Sequence, residues 1–196
     1  MLLTIVYRCI CTSNIQGVIH GRHRAASSAG RASQRGFDPN AYIAIQNADP
    51  KAIIACYDDN AHFEDIAFQL DNKARILEMW QLVCHTRPRV TIDFDSISAD
   101  DRKGNGRWMA TYMFGKTDTK PGRRVDNTLT SEFVFRDGLI ATHHDRCHAM
   151  AWAVQAIPFP VSLLVGSITP LRRSLAERRL KKFIESKRAV STAAAR

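Results

Sequence analysis

Apolar positions recur first at helical intervals and then at every second residue. Asp38-Pro39 sets an N-cap and a proline at the first helical position before NAYIAIQNA, and Asp49-Pro50 repeats the device before KAIIACYDD. Asp71 precedes NKARILEMWQLVCHT, where Ile76, Leu77, Trp80 and Val83 return with helical spacing. Beyond Arg87-Pro88 the period shortens to two. RVTIDFDSI sets Val90, Ile92 and Phe94 against Thr91, Asp93 and Asp95, a strand with one wet face. The turn DDRKGNG leads to a second strand, RWMATYMFG, and the loop KTDTKPGRR to a third, TLTSEFVF. Arg136-Asp137-Gly138 then turns tightly into a fourth, LIATHHDRCHAMAW. Helices followed by a run of antiparallel strands predict an α+β domain, with a cone-shaped curved sheet wrapped around N-terminal helices.

The stretch YDDNAHFEDIAF, residues 57–68, joins the two patterns. Asp58 and Asp59 suit a turn after a helix. If a strand follows, Phe63, Asp65 and Ala67 share one face, and His62, Glu64 and Ile66 the other. With Phe63 in the core, Asp65 points into the cavity between sheet and helices. Desolvation there raises a carboxyl from about 3.9 and makes it a better base near neutrality. The competing reading is that Asp65 hydrogen-bonds a neighbouring backbone segment. In ATHHDRCH the same parity groups His143, Asp145 and Cys147 against His144, Arg146 and His148. A histidine beside an aspartate can hold one tautomer and shuttle a proton, or the two can form a satisfied structural pair. Trp80, Trp108, Tyr112, Phe133 and Phe135 supply aromatic surface, either as core or as lining for a small hydrophobic molecule.

Charge divides the chain into three. The formal total of +9 resides at the ends: residues 1–36 carry five Arg and no acid, and residues 171–196 carry nine Lys/Arg and two Glu. The body, 37–170, sits at −3, which speaks against a nucleic-acid-binding fold with its basic patch on the domain. Five scattered cysteines with no CxxC spacing suit a reducing compartment. Residues 1–36, rich in Arg, Ser and Ala, read as a transit-like or disordered tail. The expected location is cytoplasmic, or mitochondrial or another organelle if that tail is a transit peptide. Residues 37–150 form the expected cone domain and 151–196 a tail. From Cys147 to Leu171 there is no charged residue, but three prolines and polar positions interrupt any spanning helix. LRRSLAERRLKKFIESKR then reads as a basic amphipathic helix, docked on its own domain or facing a membrane surface through 171–188.

A short helix, then ADPKAIIACYDDNAHFED, a further helix, and strands ending in FVFRDGLIATHHD resemble the SnoaL-like proteins of the nuclear transport factor 2-like superfamily. The similarity spans about residues 38–150. Ketosteroid isomerase and limonene epoxide hydrolase are enzymatic relatives. The resemblance implies that Asp65 falls at the isomerase's general base and Tyr42 near its oxyanion tyrosine. Ser131 falls at its second, protonated aspartate, a role a serine cannot fill. Asp145 matches one aspartate of the hydrolase's Asp-Arg-Asp set, whose other members are missing from RWMATYMFG. The resemblance also turns His143, Asp145 and Cys147 toward the pocket.

The expectation is a small hydrophobic molecule held by Phe63, Trp80, Trp108, Tyr112, Ser131, Phe133 and Cys147. Asp65, His143, Asp145 and Tyr42 would carry isomerase-, cyclase- or dehydratase-type acid/base chemistry. Neither cofactor nor metal is expected, and the assembly expected is a homodimer. The alternative is a non-catalytic ligand-binding or dimerisation module, membrane-peripheral through its basic tail.

Overall fold

Asp49 opens the first described helix, α1 (Pro50–Ala55). Its Oδ1 accepts from the amides of Lys51 and Ala52 at 2.9 and 3.1 Å, and Pro50 occupies a position whose N–H would lack a helical partner. The computed structural model describes residues 47–86, 90–116 and 119–194. The tail 1–36 and residues 40–46 of the helix expected over NAYIAIQNA, Tyr42 among them, lie outside the described residues, and Asn47 and Ala48 at its expected end form a turn.

Helix α1 stops at Ala55, two residues before the end expected at Tyr57, because strand β1 (Tyr57–Glu64) has begun. Cys56 C=O accepts from Ile140 N–H at 2.8 Å, so sheet pairing takes the chain out of the helix. Asp58 and Asp59 are therefore strand residues. β1 also ends earlier than expected, at Glu64, and a turn leads to the short β2 (Gln69–Asp71). Asn72, rather than Asp71, caps α2 (Lys73–Thr86), its Oδ1 accepting from Arg75 N–H at 3.1 Å. Asp71 instead pairs with His62 at 2.7 Å.

Strands β3 (Thr91–Ala99), β4 (Lys103–Phe114), β5 (Arg123–Arg136) and β6 (Leu139–Cys147) follow in the expected order. β4 and β5 are longer than their alternation suggested, absorbing parts of the flanking loops. Asp137 and Gly138 both take positive φ, 50° and 78°, the twist that a two-residue hairpin needs. The six strands lie in the order β2-β1-β6-β5-β4-β3. Every neighbouring pair is antiparallel except β1 and β6, which run parallel.

The inner face of this curved sheet carries two apolar clusters. Ile53, Tyr57, Phe63, Ile76, Met79 and Trp80 belong to one, and Ile92, Trp108, Tyr112 and Val125 to the other. The tail comprises α3 (Ala149–Ala156), α4 (Val161–Ser167) and α5 (Thr169–Ala194). Among the described residues, no helix is long and apolar enough to cross a membrane. The apolar stripe of α5 packs on its own domain, where Leu180 is fully buried and Phe183 and Ile184 abut the first cluster. Arg172 is buried beside it and donates to the carbonyls of Ile66, Val165 and Gly166 at 2.7, 2.9 and 3.1 Å.

Candidate functional site

Sheet register assembles the site. β5 and β6 set Ser131 opposite Asp145 and Phe133 opposite His143, while the parallel β1 places Phe63 beside His143. All five side chains point inward by strand alternation and are buried. His143 is 5% exposed and Asp145 7%, so their polar atoms must find partners within the protein.

Those partners form one continuous chain. Trp108 Nε1–H donates to Ser131 Oγ at 2.8 Å, and the Ser131 hydroxyl donates to Asp145 Oδ1. His143 Nε2 lies 2.9 Å from the same Oδ1, and His143 Nδ1 lies 2.5 Å from the Tyr57 hydroxyl. One proton arrangement satisfies every member: neutral His143 with its proton on Nε2, Tyr57 O–H donating to Nδ1, and Asp145 ionised as common acceptor. The imidazole is held by rings on two sides. Phe63 meets it edge-on at 4.9 Å between centroids, and Phe133 lies tilted at 4.4 Å. Both Ser131 and His143 use Oδ1, and Asp145 Oδ2 has no hydrogen bond among the described residues.

Asp145 reaches a cavity of about 130 Å³ between sheet and helices. Phe63, Met79, Trp80, Trp108, Tyr112 and Trp152 give it an apolar wall, interrupted by Asp65, Asn127, Asp145 and Cys147. Trp152 Nε1–H donates to Tyr112 Oη at 3.0 Å and ties α3 into the wall. Trp80 Nε1–H is buried with no hydrogen-bond partner among the described residues, an unusual state for an indole. Burial pushes the Cys147 thiol above its ordinary value, against a hydrogen bond with Asn127 that works the other way. A larger, open groove of about 540 Å³ lies elsewhere, between β2 and α5, lined by Gln69, Arg75, Arg173 and Glu177 among others.

Asp65 also borders the cavity, but not by strand alternation, since β1 ends one residue earlier. Its Oδ1 accepts from the amides of Ala67 and Phe68 at 2.7 and 2.5 Å, and its own N–H donates to Phe68 C=O at 2.9 Å. The carboxylate thus shapes the turn between β1 and β2 while facing the hollow.

Of the residues expected to touch a ligand, Phe63, Trp80, Trp108, Tyr112 and Cys147 line the cavity. Ser131 and Phe133 do not. They stand behind its wall, because their places opposite Asp145 and His143 bury them in the sheet. His143 is likewise one residue removed, joined to the cavity wall by its contact with Asp145. His143, Asp145 and Cys147 share a face, yet among the described residues no group of three His, Cys, Asp or Glu has metal-holding geometry. Sequence reasoning missed Tyr57, Asn127 and Trp152. Tyr57 falls at an expected helix end and Asn127 at the margin of an expected strand, while Trp152 falls at the end of the expected fourth strand, which instead stops at Cys147 before α3 begins. Parity with Leu129 and Ser131 would have placed Asn127 on the inner face.

A curved mixed sheet, closed by helices over an internal pocket, is the cone of the nuclear transport factor 2-like superfamily. A model of the SnoaL-like domain matches residues 40–143, just over half of the sequence, and the chain belongs to that family. Solved structures agree on the fold. An LEH-like epoxide hydrolase from M. tuberculosis is 19% identical with a TM-score of 0.50, covering 65% of this chain and 92% of that one. A structure from Pseudomonas putida KT2440, assigned as a polyketide cyclase candidate, is 16% identical with a TM-score of 0.52, covering 60% and 92%. A protein of ketosteroid isomerase-like fold from Catenulispora acidiphila, in complex with trimethylamine, is 12% identical with a TM-score of 0.51, covering 62% and 96%. At such identities the likeness is one of fold alone. A search of curated proteins found no match.

Proposed function

We propose that the chain is an enzyme that binds a small, largely apolar molecule in the cavity and moves a proton on it, in an isomerisation, cyclisation or dehydration. One observation carries the reading: the hydrogen-bonded chain Tyr57–His143–Asp145–Ser131–Trp108 converges on a carboxylate at its centre, and that carboxylate borders a largely apolar cavity. Asp145 is the base. Its Oδ2 takes the proton, and His143 and Ser131 hold Oδ1 so that the carboxylate does not rotate away. His143, poised between Tyr57 and Asp145, can take up positive charge or pass a proton inward. The Trp80 N–H, buried with no partner among the described residues, supports a substrate with a hydrogen-bond acceptor, such as a carbonyl oxygen, since that contact would satisfy the donor. Asp65 is a second carboxylate at the cavity, committed by two backbone bonds to its turn.

The test begins with native mass spectrometry of protein purified from its source, to identify a retained molecule. With that compound, Asp145→Asn lowers turnover about 10²–10⁴-fold and leaves binding within a few-fold. Undiminished turnover in Asp145→Asn overturns the assignment. A second reading, a ligand-binding or dimerising module without turnover, draws on Met109, Met113 and Val134, exposed on the outer face of the sheet. It is favoured if the wild-type protein binds the retained molecule and never converts it.

A further inference from the structure

The tail displays a surface that the cavity does not use. Val154, Phe159, Val161, Leu163, Leu164 and Ile168 are all exposed, Phe159 at 78%. Single exposed apolar residues are ordinary, but six fall within fifteen consecutive positions, and Val161, Leu164 and Ile168, spaced by three and four, set a ridge along α4 that calls for a cover. Helix α4 is apolar on both sides. Its inner side, Ser162, Val165 and Gly166, is buried, and a Cβ on Gly166 would come within 2.7 Å of Met150 Sδ. Tight packing against α3 therefore fixes which side faces out, and that side is leucine and valine rather than polar.

Charge selects the occupant. The segment Cys147–Leu171 has no Asp, Glu, Lys or Arg, and α5, which follows, has eight Lys/Arg against two Glu. Six of the eight, from Arg178 to Arg188, are exposed, whereas Glu177 is engaged by Arg75. Exposed Leu175 shares a helix face with Arg178, Arg179 and Lys182, so apolar and basic character adjoin along α5. We infer that this ridge, together with the basic residues of α5, docks on the surface of an anionic phospholipid bilayer. The apolar side chains enter the headgroup boundary and the Lys/Arg side chains meet lipid charge, a shallow and reversible attachment. A second copy fits less well, because it carries the same basic helix and offers that helix no complementary charge.

The experiment is flotation of the full chain with vesicles of phosphatidylcholine alone and with about 30% phosphatidylserine, near the anionic load of a cytoplasmic leaflet. The chain floats with the anionic vesicles, and raising salt to about 0.5 M releases most of it. Phe159→Asp and, independently, Leu164→Asp weaken binding roughly tenfold or more. Both positions are exposed, and circular dichroism checks that each variant stays folded. Absence of flotation with either vesicle, or equal flotation of both variants and wild type, overturns the inference. So does a solution mass of two chains that Phe159→Asp returns to one, which would make a second copy the occupant.

Discussion

Two aspartates border the same cavity and are held in opposite ways. Asp145 sits in mid-strand, and its Oδ1 accepts only from side chains, Ser131 and His143, which the sheet register brings to it. Asp65 sits past a strand end, and its Oδ1 accepts from two amides of its own turn. A hydroxyl or an imidazole can reorient or exchange a proton as charge changes, whereas a backbone amide can only donate. Protonating Asp65 weakens the turn it shapes, while protonating Asp145 shifts load along a chain that has other proton sites. Sharing a cavity does not make two carboxylates equivalent. What lies behind each one decides what it can do.

The largest expected effect falls on the support of Asp145. Phe63→Ala opens a void beside His143 and in the main cluster, and should destabilise the fold by about 3–5 kcal/mol in denaturant titration. A loss under about 1 kcal/mol would mean that the imidazole is held without that ring, and the contrast would weaken. Asp65→Ala removes the acceptor from two turn amides and should cost about 1–2 kcal/mol. Asp65→Asn keeps an acceptor oxygen, so it should cost less, and it should reduce turnover far less than Asp145→Asn does. Equal losses of turnover in the two Asn variants would break the division of roles.

The smallest effect concerns Glu64, which points outward one residue before Asp65. Arg173 on α5 hydrogen-bonds its carboxylate at 2.5 Å and holds it below the ordinary value of 4.5, with burial opposing. A depressed carboxyl contributes stability that is present above 4.5 and fades as pH falls through the lowered folded-state value. The difference in stability between wild type and Glu64→Gln should therefore be constant near neutrality and vanish in acid. Since the pair is partly exposed, it should stay under about 1 kcal/mol. A difference that persists at low pH would mean that Glu64 acts through packing rather than charge.

Local chemistry in the sequence settled a good deal. Asp49-Pro50 started a helix, Asp137-Gly138 made a tight turn, and period-two alternation turned Trp108, Tyr112, His143 and Asp145 to one side of the sheet. These features depend on neighbours within a few residues, so the chain alone determines them. Tertiary structure decided where α1 stops and where β1 ends, because Cys56 and Glu64 change state only when β6 and β2 arrive to pair with them. It decided that Tyr57 bonds His143 across 86 positions, that Ser131 donates to Asp145 from behind the cavity wall, and that α5 spends Leu180 on its own domain. Each of these depends on strand register and on contacts between distant segments, which no local pattern encodes.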